Sequence, residues 1–223
     1  MKDLIQTMTD LIAAGGIVSW PLLFASIVSL ALVAERLIFW LRTIRRQRRV
    51  AREVLQLYRH SPGAALNQVR LHSDLPIARI FLEAMELDEP TPEEFRLALE
   101  SAAQAEIPVM KRFNTIFETI VSLAPLLGLL GTILGLMQSF SSLKLGDVGG
   151  SSAGGVTGGI SEALVSTVMG LVVAIFNQLF FNMFRSFYLR QMALILEAGG
   201  QLELLYRHRY ENTKQTEVNY AAT

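Results

Sequence analysis

The chain reads as an all-α membrane protein, with three transmembrane helices and long cytoplasmic helical extensions. Its 223 residues are 51% hydrophobic, and the apolar residues gather in uncharged runs at 17–34, 119–143 and 163–184. At about 1.5 Å per residue, each run can cross a hydrocarbon core of roughly 30 Å. An arginine cluster just past the first run gives the spans a direction.

Residues 1–16 form an external amino-terminal segment. It carries Asp3 and Asp10 rather than a basic leader region, and no small-residue cleavage site follows the first run, so that run is a retained anchor. The first span covers 17–41. Trp20 and Trp40 bracket it about 30 Å apart on a helix, suiting the aromatic belts of the two interfaces. Arg42, Arg45, Arg46, Arg48, Arg49 and Arg52 follow, which places this end in the cytoplasm and the amino terminus outside. Arg45, Arg46, Arg48 and Arg49, with the two tryptophans, anchor the chain to lipid headgroups. Since 20 basic residues balance 20 acidic ones, the cluster marks topology and lipid contact rather than nucleic acid. Glu35 and Arg36 lie within snorkelling reach of the headgroups.

Residues 42–115 form a cytoplasmic helical region. Ser61-Pro62 starts one helix, Ser73-Asp74 before Pro76 a second, and Thr91-Pro92-Glu93-Glu94 a third with a capping box. From there Phe95, Leu99, Ala102, Val109, Phe113 and Phe117 recur near helical spacing, which predicts one helix running into the second span, with Pro108 as its only break.

The second span covers 116–143. Residues 144–159, rich in glycine and serine and charged only at Lys144 and Asp147, read as a flexible external loop. The third span, 160–184, exits into Arg185 and Arg190 on the cytoplasmic side. Residues 185–223 are a cytoplasmic helix and tail. Tyr188, Met192, Ile195, Gly199, Leu202 and Tyr206 make a seam for another helix, either the Phe95 helix of the same chain or one from a neighbouring subunit. The polar tail from Asn212 is expected to be disordered.

Chemistry is limited by composition. No cysteine means no disulfide and no thiolate site, and His60, His72 and His208 lie outside the spans without metal spacing. There is no HExxH, no phosphate-binding glycine loop and no histidine placed to activate Ser166, so the chain does not read as an enzyme and asks for no cofactor.

What remains is the polar content of the spans, which is costly there and therefore informative. In the second span Gly128, Gly131 and Gly135 share a face and permit close helix packing. Thr132, one turn from Gly128, either satisfies a backbone carbonyl or serves a polar path. In the third span Glu162 stands at the outer end, followed by Ser166, Thr167, Gly170, Asn177 and Gln178. Glu162 and Ser166 nearly align on a helix, whereas Thr167 is turned about 140° from Glu162, so the polar arc is broad. Such an arc suits a helix that lines a wet lumen while touching its neighbours. Ser166, Asn177 and Gln178 are candidates for either lumen or helix contact, and Gly170 for packing.

At these residues the chain resembles the MotA/TolQ/ExbB proton-channel family, most closely its ExbB branch. APLLGLLGTILGLMQSF at 124–140 and GISEALVSTVMGLVVAI at 159–175 carry the resemblance, supported by SIVSLALVAERL at 26–37. Together with the three-span layout it covers nearly the whole chain. It implies a homo-oligomer, a pentamer in a bacterial inner membrane, enclosing the single spans of an ExbD-like or TolR-like partner dimer that carries the proton-binding aspartate. It further implies that Thr132, Glu162 and Thr167 line the lumen, and that proton flow is turned into mechanical work, delivered through a TonB-like protein in an ExbB setting. A TolQ-like envelope-maintenance motor, a gliding-type motor and a passive membrane scaffold are the alternatives. Phe176 and Asn177 stand where many relatives have proline or a small residue.

Overall fold

A computed structural model describes residues 14–142 and 151–221. Lys144 and Asp147 of the expected external loop, and most of the expected amino-terminal segment, lie outside the described residues. Among the described residues six helices follow in order: α1 (Ser19–His60), α2 (Pro62–Leu71), α3 (Pro76–Met85), α4 (Pro92–Met110), α5 (Asn114–Ser141) and α6 (Ser151–Ala221). No strand occurs among the described residues. Helices α1, α5 and α6 are long and apolar enough to cross a membrane. The chain divides into two compact units, one of Met1–Arg36 with Phe113–Phe184, the other of Leu37–Arg112 with Arg185–Thr223.

The first unit packs the amino-terminal part of α1, all of α5 and the matching part of α6 around Val18, Leu22, Ile120, Ala124 and Ala174. Only 22% of each apolar window is buried within the chain, so most of each span must face lipid or other protein. Phe24, Ile27 and Leu30 on α1 and Leu164, Val168 and Val172 on α6 are among those outward residues.

Helix α5 begins at a break rather than as a continuation of α4. The expected point was Pro108, yet α4 continues through it to Met110. The chain turns instead at Phe113, which caps α5 with a left-handed backbone at φ 67°. That conformation is costly for a residue with a bulky side chain. It is offset by what the ring does there, since Phe113 lies under the Arg36 guanidinium with 5.1 Å to the ring centroid. Arg36 is 2% exposed and its Nε stands 3.2 Å from Glu35 Oε2, so it turns into the unit instead of snorkelling outwards.

In the second unit the local punctuation acts largely as its chemistry requires. Thr91 and Glu94 complete a reciprocal capping box, and Ser61 accepts from Ala64 N–H at 3.3 Å. Helix α3 is different: Leu75, not Ser73 or Asp74, precedes its Pro76. The carbonyls of Ser73 and Asp74 accept from Arg79 Nη1 at 3.1 and 3.2 Å, and the Asp74 carboxylate binds Arg46 at 2.7 Å. Arg79 also binds Glu106 through two 2.6 Å contacts, tying α3 to α4. Ile77, Ile80, Phe81, Phe95 and Leu99 are buried on the same two helices.

Part of the seam on α6 finds a partner within the chain, while Tyr188, Met192 and Gly199 stay half-buried. Ile195 and Leu202 are buried, and Tyr206 stacks on Phe95 with 4.1 Å between centroids and 3° between planes. Tyr206 Oη also donates to the Pro90 carbonyl. Burial pushes the neighbouring Tyr58 phenol up to about 12, with Tyr206 reinforcing the shift and Arg209 opposing it. Residues 212–216, expected to be disordered, are helical, with Thr213 and Thr216 hydroxyls bonded back to the carbonyls four residues before them.

Trp20 is 67% exposed, whereas Trp40 is 1% exposed, set edge-on to Phe39 at 5.3 Å and 6.0 Å from Phe187. Arg45, Arg46, Arg48 and Arg49 are exposed, Arg46 through its pair with Asp74 being the one engaged in an ion pair among the described residues.

Candidate functional site

Helices α5 and α6 run antiparallel along a strip of small residues, and the polar candidates sit on or beside it. A Cβ added at Gly170 would stand 2.5 Å from the Ala124 carbonyl oxygen, and one at Gly135 would stand 2.6 Å from that of Gly159. At Gly128 it would meet the Ser166 carbonyl oxygen at 3.1 Å, and at Gly131 it would overlap the Ser166 side chain. Backbones this close leave no room for a larger residue.

The same packing explains why residues 154–159 are helical although four glycines there favour a loop. Ser139 Oγ donates to Val156 O at 3.0 Å, and a Cβ at Gly159 would be 2.5 Å from the Gly135 carbonyl oxygen. Tertiary contact supplies what intrinsic propensity withholds.

Each candidate hydroxyl in this strip is engaged by backbone. Thr132, half-buried, donates to Leu129 O at 2.6 Å. Thr167, also half-buried, reaches Gly128 O at 3.3 Å and Ala163 O at 3.4 Å. Ser166 is fully buried, donating to Ala163 O at 2.9 Å with Gly128 O at 3.4 Å. A threonine has one O–H donor and two lone pairs. With the proton committed to a carbonyl, the oxygen is left as an acceptor, able to take a hydrogen bond from water or a protonated carboxyl.

Glu162 is half-buried, and its carboxylate lies against Gly16. Gly16 has φ +66°, and a Cβ there would overlap Glu162 Oε1. The left-handed backbone therefore calls for glycine here, and a larger residue would also displace the Glu162 carboxylate. Sequence reasoning passed over Gly16, whose signal is the Gly15-Gly16 pair immediately before the first span. No hydrogen bond joins Glu162, Thr132 and Thr167 to one another among the described residues, so one chain does not gather them into a cluster.

Asn177 clasps two helices. It is fully buried, accepts from Ser29 Oγ at 2.5 Å through Oδ1 and donates from Nδ2 to Val173 O at 2.8 Å. Its amide is thus satisfied within the subunit, while Gln178 is exposed. A double-mutant cycle on Ser29→Ala and Asn177→Ala, read by thermal unfolding in detergent, is expected to give a coupling of about 1 kcal/mol. Additive effects would mean that the clasp carries no stability.

The fold and these polar groups define a helical membrane protein whose spans hold hydroxyls and amides in a close-packed, acid-poor interior. The chain belongs to the MotA/TolQ/ExbB proton channel family, whose model matches residues 72–197. It is 59% identical over 204 residues to a putative biopolymer transport protein, ExbB-like 3, of Synechocystis, covering 92% of this chain and 97% of that one. It is 39% identical over 214 residues to ExbB-like 1 of the same organism, covering 95% and 84%. A putative ExbB homologue of Methanothermobacter thermautotrophicus is 27% identical over 173 residues, 76% of this chain and 60% of its own length.

Proposed function

We propose that the chain is the channel subunit of a proton-driven motor in a bacterial inner membrane, with its amino terminus periplasmic and its carboxyl terminus cytoplasmic. One observation carries the reading: residues 119–143 and 163–184 contain hydroxyl and amide groups but no titratable side chain. Such spans offer a polar path without a proton carrier. The carrier must come from another chain, and an ExbD-like or TolR-like one-span subunit with an intramembrane aspartate supplies that chemistry. Copies of this chain, as a pentamer, would enclose the partner's dimeric spans, with Thr132, Glu162 and Thr167 turned to the lumen. One charge crossing about 100 mV yields about 2.3 kcal/mol, enough over several protons to shift a packed helix pair. The relatives' names favour an ExbB-type output, through a TonB-like protein to outer-membrane transport, over a TolQ-type output.

The test is proton flux into vesicles holding the purified chain alone or with its one-span partner. Flux is expected only from the pair. Full flux from this chain alone would place the carrier within it and sink the proposal.

Glu162 provides a second check. As an outer-mouth carboxylate that concentrates cations, its loss in Glu162→Ala should lower energy transduction several-fold at limiting proton-motive force while assembly persists. Native transduction by that variant would leave Glu162 with only its packing against Gly16.

A further inference from the structure

The second unit contains a buried polar layer that the proton path does not use. Gln47 is fully buried, and neither its Oε1 nor its Nε2 has a hydrogen-bond partner among the described residues. The same holds for Gln191 Oε1, in a residue 6% exposed, and for the indole N–H of Trp40, at 1%. Polar groups so deeply buried are otherwise nearly always bonded, to protein or to ordered water.

These residues lie along one seam. Trp40 and Gln47 are seven positions apart and so share a face of α1, with Thr43, 5% exposed, between them. Helix α6 runs parallel beside it: Trp40 meets Phe187 at 6.0 Å, and Ala51 lines a groove together with Ala198 at the same offset in residue number. By that register Gln191 stands level with Ile44, about one helical turn from Gln47. Further along, Val50, Val54, Ile195, Ala198 and Leu202 make the seam apolar. The polar layer is therefore local.

The chemistry selects the occupant. Two amide oxygens accept, and an amide NH₂ and an indole N–H donate; a cation would be opposed by the donors and an anion by the oxygens. Water both donates and accepts. A groove of about 450 Å³ lined by Arg48, Ala51, Leu194 and Ala198 opens along the same seam, beginning at the residue that follows Gln47.

We propose that Trp40, Gln47 and Gln191 form a built water-binding site in the α1–α6 seam, so that the two helices are bridged there by solvent. Bridging water exchanges its partners faster than packed side chains rearrange, which makes this level a wet joint in an otherwise dry contact. X-ray radiolytic footprinting tests it, because radicals formed from bound water oxidise the side chains beside it however little they are exposed. In the native assembly in nanodiscs, Trp40 should be oxidised at a rate within a few-fold of half-buried Met192. In the double variant Gln47→Leu/Gln191→Leu, checked for native helicity, Trp40 oxidation should fall at least threefold. An unoxidised Trp40 in the native chain would overturn the proposal, and so would a rate unchanged in a folded double variant. If the variant fails to fold, the native measurement decides alone.

Discussion

Replacing Thr132 and Thr167 together with valine is expected to abolish proton flux and energy transduction while leaving assembly and partner binding intact. Valine copies the shape of threonine and removes the hydroxyl, so a purely packing role predicts a small effect. The geometry argues for more. Each hydroxyl gives its proton to a carbonyl, Thr132 to Leu129 and Thr167 to Gly128 or Ala163, which leaves an acceptor that valine cannot replace. Serine at both positions should retain most activity, since it keeps donor and acceptor. Thr119→Val is the control: its hydroxyl donates to Thr115 O at 2.7 Å near the start of α5, so flux should stay near the native value. Flux measured in vesicles with the one-span partner distinguishes the readings. Equal behaviour of the double variant and the control would remove these hydroxyls from the path and favour a passive scaffold.

Enlarging Gly170 should have the largest effect on the fold. A Cβ there would press on the Ala124 carbonyl at 2.5 Å, and on the Gly128 Cα at 3.1 Å, both of them backbone that no rotamer change can move. Gly170→Val is therefore expected to separate α5 from α6, costing at least the 1–3 kcal/mol typical of overpacking, and to lower the yield of assembled protein sharply. Gly199→Val is the companion variant, because nothing lies within 4 Å of the Cβ position at Gly199. Size-exclusion profiles and thermal unfolding in detergent give the comparison. A stable, fully assembled Gly170→Val protein would show that the two helices can part without harm.

The parts of this fold that a reader of the sequence can see are those decided within a few residues or by bulk composition. Apolar runs of span length announce themselves, and so does the Thr91 capping box, because donor and acceptor are three residues apart. What escapes is decided at a distance. The left-handed residue of the turn is Phe113 rather than the Asn114 beside it, and its ring is matched by Arg36, far away in the chain. Residues 154–159 look like a loop until Gly135 and Ser139 are brought against them. Asn177 is ambiguous alone and becomes a clasp only with Ser29 opposite. For the candidate site, residue types are legible but grouping is not: Thr132, Thr167 and Glu162 meet different neighbours within one chain, and a lumen is a property of several chains.

The Gly128 carbonyl holds a further consequence. It lies within range of the hydroxyls of both Ser166 and Thr167, and as part of α5 it is also the acceptor for the amide of Thr132. A crowded acceptor of this kind makes the α5 backbone compliant at that point. If the span flexes and the Thr132 amide draws away, the two hydroxyls of α6 keep the oxygen satisfied, so bending trades one bond for another instead of breaking one in an apolar medium. The flexure falls one turn from the threonine that the motor reading assigns to the lumen, so a push on Thr132 would be taken up as curvature in its own helix.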